Sequence, residues 1–244
     1  MKEGPQQESG YYYPGKKIQG FMDSLPIADA FQDQYLNPID GKIVIMTHDD
    51  KFDSEIHNIE NSLKFESTWF LLSSNFDEHI AEGIDVQLHF NKETGRLDEQ
   101  IAAFKNRFGF TPRFNRNHRL LWKSHNFDFP LLSMNGIMVD STLIGTRPFR
   151  PCINGKIILI WEFPFCITDR PKRFMALYNV AGDYEISFKY GLSPIVVLSH
   201  PFDICASADL SSCFYDVLEL AQKYNYRIIS LSNFYGQYLN NLNK

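Results

Sequence analysis

The chain has 244 residues, 44% hydrophobic and 22% charged, enough to bury a sizeable core without staples and ordinary for a globular protein. Its formal net charge of −5, with no block of Lys or Arg, argues against a dedicated nucleic-acid binder. Aromatic residues reach 15%, with 21 Phe, and most are expected in the core.

Residues 1–20 are polar, Gly/Pro-rich and unpatterned, and no apolar run follows Lys2. They are read as a tail that is not a signal peptide, so a cytoplasmic location is expected. Residues 21–41 are mixed and end in the turn-like Asn37-Pro38-Ile39-Asp40-Gly41. The expected organisation is a tail and lead-in over 1–41, then one domain over 42–244. Ile43-Val44-Ile45-Met46 is a continuous apolar run, as in a strand covered on both faces. Phe52, Ile56, Ile59 and Leu63 follow at helical spacing, with Asp53 or Ser54 available as N-cap.

Residues 67–72 read as the next strand. Ile84, Val86 and Leu88 alternate with Asp85, Gln87 and His89, so the three polar side chains share one face. Leu97, Ile101, Phe104 and Phe108 form a helical stripe that Gly109 closes. Shorter strands are expected at 113–118, 136–140, 156–163, 194–200 and 226–231. Phe214, Val217, Leu218, Ala221 and Tyr224 mark an amphipathic helix before the last of these. The cysteines, Cys152, Cys166, Cys205 and Cys213, lack paired metal-ligand spacing and read as reduced thiols. No stretch approaches the roughly 20 apolar residues of a membrane span. Strands alternating with helices imply an α/β fold with a mainly parallel sheet, and about seven strands in one domain favour a distorted barrel. No Gly-rich loop follows the first strand, which weakens a dinucleotide-binding reading.

In parallel α/β folds ligands bind at the carboxyl ends of strands, so the polar residues there matter most. They are Thr47-His48-Asp49-Asp50, His89, Arg116-Asn117-His118 and Ser199-His200. Each has an ordinary structural explanation: a helix cap for Asp-Asp, a hydrogen-bonded strand residue for His89, a turn residue for His200 before Pro201. Together they could supply three N/O ligands with an open fourth position, the arrangement of a catalytic divalent metal.

The order of these motifs resembles the NodB-homology polysaccharide deacetylases, carbohydrate esterase family four. Their Thr-Phe-Asp-Asp-Gly strand end matches Thr47-His48-Asp49-Asp50-Lys51, and their His-bearing second strand matches 85–89, continuing to Glu93. Their arginine segment matches Arg116-Asn117-His118-Arg119, and their late Leu-x-His element matches Leu198-Ser199-His200. The match runs in order from residue 42 to about 231. Glu93 stands where the family has a second histidine, Lys51 where it has glycine. These departures resemble a divergent branch found with surface-polysaccharide and O-antigen gene clusters.

The resemblance implies a NodB-like barrel and a metal-dependent hydrolase removing an N-acyl group, acetyl first, from an amino sugar of a surface polysaccharide or its precursor. It implies Asp50 and His89 as metal ligands, Asp49 as general base oriented by Arg116, and His200 as general acid. The third ligand is His118, with Glu93 its rival; zinc is the first choice of ion. Trp161 is assigned to substrate binding. The alternatives are a degenerate carbohydrate-binding homologue on the same scaffold, and an amidohydrolase, which the absence of an opening His-x-His disfavours.

Overall fold

The computed structural model describes residues 33–76, 79–169, 184–206 and 208–239, so the expected tail at 1–20 lies outside the described residues. The strands run β1 (Gln34–Tyr35), β2 (Ile43–Asp50), β3 (Thr68–Leu71), β4 (Asp85–Phe90), β5 (Phe114–Asn117), β6 (Val139–Asp140), β7 (Phe149–Arg150), β8 (Cys152–Ile153), β9 (Lys156–Ile157), β10 (Trp161–Glu162), β11 (Ile167–Thr168), β12 (Ile195–Ser199) and β13 (Arg227–Ile229).

The apolar run at 43–46 opens the central strand, β2. Its second half pairs in parallel with β3, and β4, β5 and β6 follow in parallel order. β12 pairs in parallel along the other edge, Ser199 opposite His48, and β13 pairs with the first half of β2. The run 161–168 closes the sheet. β10 pairs with β6, Phe165 bridges Ile144, and β11 pairs with β12, all in parallel. β2 to β6, the run 161–168 and β12 thus make the distorted parallel barrel expected. Antiparallel additions decorate it: β1 on β7, β7 on β10, and the separate hairpin β8–β9.

Two apolar clusters show how the barrel is filled. Ile43, Ile45, Phe70, Phe114, Val139, Phe163, Phe165, Val196 and Leu198 pack on one another from successive strands, joined by Leu231, Phe234 and Leu239 from the last helical segments. This is the interior. The alternate residues Val44, Met46, Trp69, Leu71, Val86 and Leu88 pack against helix residues Ile56, Phe104, Phe129, Phe214 and Val217. The strands are therefore covered on both faces, which is why their sequences read as nearly unbroken apolar runs.

The helices begin and end where their caps dictate. Asp53 caps Ser54–Leu63 by accepting from the backbone N–H of Glu55 and Ile56. Gly109, at φ 77°, ends Leu97–Phe108 in the left-handed conformation glycine adopts without strain. Leu63, placed on the buried stripe by spacing, is instead 54% exposed. Glu60 takes the buried face, because its carboxylate meets the buried His48 ring at 2.7 Å.

Residues 156–163, expected as one strand, form two. Asn154 and Gly155 both take positive φ, so β8 folds back on β9, and only β10 joins the barrel. The helix His125–Met134, with Pro130 inside it, and the two-residue β11 carried no periodicity long enough to announce them. No helix among the described residues is long and apolar enough to cross a membrane.

Candidate metal centre

The carboxyl end of β2 sets the site. Asp49 and Asp50 would alternate sides in a regular strand, but Asp50 takes φ 75°, the left-handed region that costs a non-glycine residue about 1–3 kcal/mol. Its carbonyl is held by Leu72 N (3.1 Å) and Asn75 Nδ2 (2.9 Å), which fixes this turned end. One oxygen of Asp50 lies 3.4 Å from His89 Nε2 and 3.9 Å from His118 Nε2. The ligand atoms of Asp50, His89 and His118 all fall within 4.8 Å of one another. Three chain segments 68 residues apart at their extremes converge on one point.

His89 is oriented for that point. Its Nδ1 lies 2.9 Å from the carbonyl of Arg116, an acceptor only, so Nδ1 carries a hydrogen and Nε2 is the nitrogen turned toward Asp50. The His89 and His118 rings meet edge to face, centroids 5.3 Å apart. His118 sits on a turn in which Arg119 and Leu120 both have positive φ, so this segment is strained as well. Burial holds the Asp50 carboxyl up, but His89's hydrogen bond and the charges of His89, His200 and His118 outweigh it and bring the pKa to about 2. Burial, then the neighbouring His89 charge, pushes His118 below the usual histidine range. The first effect keeps the Asp50 carboxylate ionised, and the second favours a neutral His118 ring. The set has the composition and convergence a divalent ion requires.

Beside this group lies a fully buried ion pair. Arg116 Nη1 donates to Asp49 Oδ1 and to Thr47 Oγ1, each at 2.8 Å; Nε and Nη2 donate to the carbonyl and hydroxyl of Ser141 at 2.7 Å. The guanidinium stacks over Phe70 at 4.7 Å. Asp49 Oδ1 is therefore occupied, while Oδ2 faces His89 Nε2 at 3.9 Å.

His200 follows Ser199, whose register partner is His48, so His200 and Asp49 emerge from neighbouring strands at the same end. The Nδ1 of His200 pairs with Asp169 Oδ1 at 2.9 Å, and its backbone N–H donates to the same carboxylate. Asp169 was missed in the sequence because β11, the strand it follows, is only two residues long.

The remaining candidates lie elsewhere. Glu93, the rival third ligand, is about half exposed and pairs with Arg119 at 3.1 Å, outside the Asp50 group. Trp161, expected at the substrate, is 3% exposed and packs in the barrel core under Arg150. It offers no open face to a sugar ring. The reason is its face: Trp161 projects into the interior cluster beside Phe163, with Arg150 stacked over it.

No family model and no curated protein matches the sequence. Solved structures do match in fold. A candidate polysaccharide deacetylase from Mycobacterium smegmatis superposes with TM-score 0.55 at 14% identity, covering 84% of this chain and 93% of its own. A chitin deacetylase from Colletotrichum lindemuthianum gives 0.52 at 13% identity, covering 82% and 88%. A family 4 carbohydrate esterase from Bacillus anthracis gives 0.51 at 13%, covering 90% and 92%. The chain has the NodB-like barrel of the polysaccharide deacetylases.

Proposed function

We propose that this chain is a metal-dependent carbohydrate deacetylase, hydrolysing an N-acyl group, acetyl first, from an amino sugar of a surface polysaccharide or its precursor. The deacetylase domain is residues 42–244. The observation that carries the reading is the meeting of Asp50, His89 and His118 beside the buried Asp49–Arg116 pair, at the carboxyl end of the barrel. Similarity of fold to polysaccharide and chitin deacetylases supports the same reaction class.

Asp50, His89 and His118 would hold the ion, with zinc the best match to two nitrogens and one carboxylate. When bound, a divalent ion there supplies a Lewis acid for the amide carbonyl and acidifies water. Asp49 takes the proton of the attacking water on Oδ2, the oxygen that Arg116 leaves free. Arg116 keeps that carboxylate ionised and fixed. His200 gives a proton to the departing amine from Nε2, while Asp169 accepts from Nδ1 and stabilises the charged ring. The C–N bond breaks, releasing an acid and a free amine. Acid–base help of this kind is worth about 10²–10⁴-fold each.

The test is acetate release from N-acetylated sugar oligomers by protein stripped with a chelator and then reloaded with zinc or cobalt. Activity should vanish and return with the ion, and His200→Ala should slow it severely without loss of metal. Equal activity in stripped and reloaded protein would refute the reading.

A further inference from the structure

Two carboxyl groups that this mechanism does not use lie buried side by side behind the site. Asp140 ends β6 and Glu162 ends β10; they are register partners on adjacent parallel strands, and both are 0% exposed. Counting donors decides where a proton sits. Asp140 Oδ1 accepts from Asn115 Nδ2 (2.7 Å) and Thr142 Oγ1 (3.0 Å), and Oδ2 accepts from Thr142 N (3.2 Å). Glu162 Oε1 accepts from Leu143 N at 2.9 Å, whereas Oε2 has no donor among the described residues. Two adjoining carboxylates without solvent cannot both stay charged; one proton removes the repulsion and gives Oε2 a partner.

We propose that Glu162 is a neutral acid donating its Oε2 proton to the Asp140 carboxylate, and that this pair positions His118 and Arg116. The positioning half rests on the reading of His118 as a metal ligand. Burial first, then the Asp140 charge, pushes Glu162 well above the usual carboxylate range, with Arg116 opposing. Burial likewise raises Asp140, against its hydrogen bonds from Glu162, Asn115 and Thr142.

The pair reaches both targets through short chains of bonds. Thr142 Oγ1 donates to Asp140 and accepts from Asn117 N at 2.9 Å. Asn115 Nδ2 bridges Asp140 and Asn117 Oδ1 (3.0 Å), and Asn117 Nδ2 donates to Leu121 O (3.0 Å). Asn117 therefore clamps both ends of the turn that bears His118. That turn contains two left-handed non-glycine residues, which persist only where the surroundings over-determine them. On the other side, Ser141, between Asp140 and Thr142, grips Arg116 with its carbonyl and hydroxyl. Ionising Glu162 would set two charges against each other at the root of both chains.

The experiment combines infrared spectroscopy with cobalt titration of the chelator-stripped full chain. The wild type should show a protonated-carboxyl C=O band at neutral pH that Glu162→Gln removes. Glu162→Gln should bind cobalt within about threefold of wild type, because the amide donates in place of the acid, while Asp140→Asn, facing several donors with one acceptor oxygen, should weaken cobalt about 10–100-fold, the range for outer-shell partners. Thr142→Val keeps the shape and removes the hydroxyl that joins Asp140 to Asn117 N, leaving the Asn115 and Thr142 N–H bonds to Asp140; it should weaken cobalt about 10-fold and keep the band. As pH rises, wild-type cobalt affinity should fall through a step that Glu162→Gln lacks. Absence of a band assignable to Glu162 would overturn the proton assignment. Cobalt affinity unchanged in both Thr142→Val and Asp140→Asn would overturn the positioning role. If wild-type protein binds no cobalt, the metal-centre reading fails and the positioning role with it, while the infrared band still decides the proton.

Discussion

Two polar assemblies, one buried and one partly open to solvent, adjoin at the carboxyl end of the barrel, and they are satisfied in opposite ways. Around Arg116, opposite charges meet and the donors find acceptors: Asp49, Thr47 and Ser141. Nothing more is needed there. Around Asp50, a carboxylate and two imidazoles turn toward one another, and His89 Nδ1 is already committed to the Arg116 carbonyl. That group is one that a cation would complete. The same residue types build a finished ion pair in one place and a ligand set in the other, and the balance of donors to acceptors tells them apart.

The sharpest way to separate the two is by substitution. Asp49→Asn should lower turnover by about 10²–10⁴-fold, the worth of a general base, while bound metal remains at wild-type content by elemental analysis. Loss of the metal together with activity would merge the two assemblies into one. Arg116→Met strands the buried Asp49 charge and should cost about 3–5 kcal/mol in urea unfolding of the stripped protein. A cost near zero would mean the pair is not the self-contained element described.

Adding zinc at 100 times its Kd should stabilise the wild type by about 2.7 kcal/mol and leave Asp50→Asn unmoved. The smallest effect is on pH. The Asp50 carboxyl is depressed from its ordinary 3.8 to about 2, so its contribution to the stripped protein is present above about pH 4 and lost as pH falls toward 2. Thermal melts of wild type and Asp50→Asn should converge over that window; a constant gap would count against the His89 and His118 contacts.

Much of this was legible in the sequence, because strands covered on both faces leave apolar runs and each run ends in its polar residue. Asp49, Asp50, His89, Arg116 and His200 all stand at such ends. His118 is preferred to Glu93 in the sequence, but the turn with left-handed Arg119 and Leu120, and the pairing of Glu93 with Arg119 that supports this preference, were not legible there. Asp169 hid behind a strand too short to show a period. Trp161 reads the same whether it is a platform or core; only its packing in the interior cluster under Arg150 decides. Leu63 was misplaced because the stripe allowed no buried charge, whereas Glu60 is buried against His48.

The central claim is that Asp50, His89 and His118 form one divalent-ion site. Calorimetric titration of the stripped chain with zinc tests it most directly, using wild type, His118→Ala and Glu93→Ala. The account predicts one ion per chain in the wild type, the same in Glu93→Ala, and affinity lost in His118→Ala. Binding that survives His118→Ala but fails in Glu93→Ala, or a wild type that takes up no ion, would contradict it.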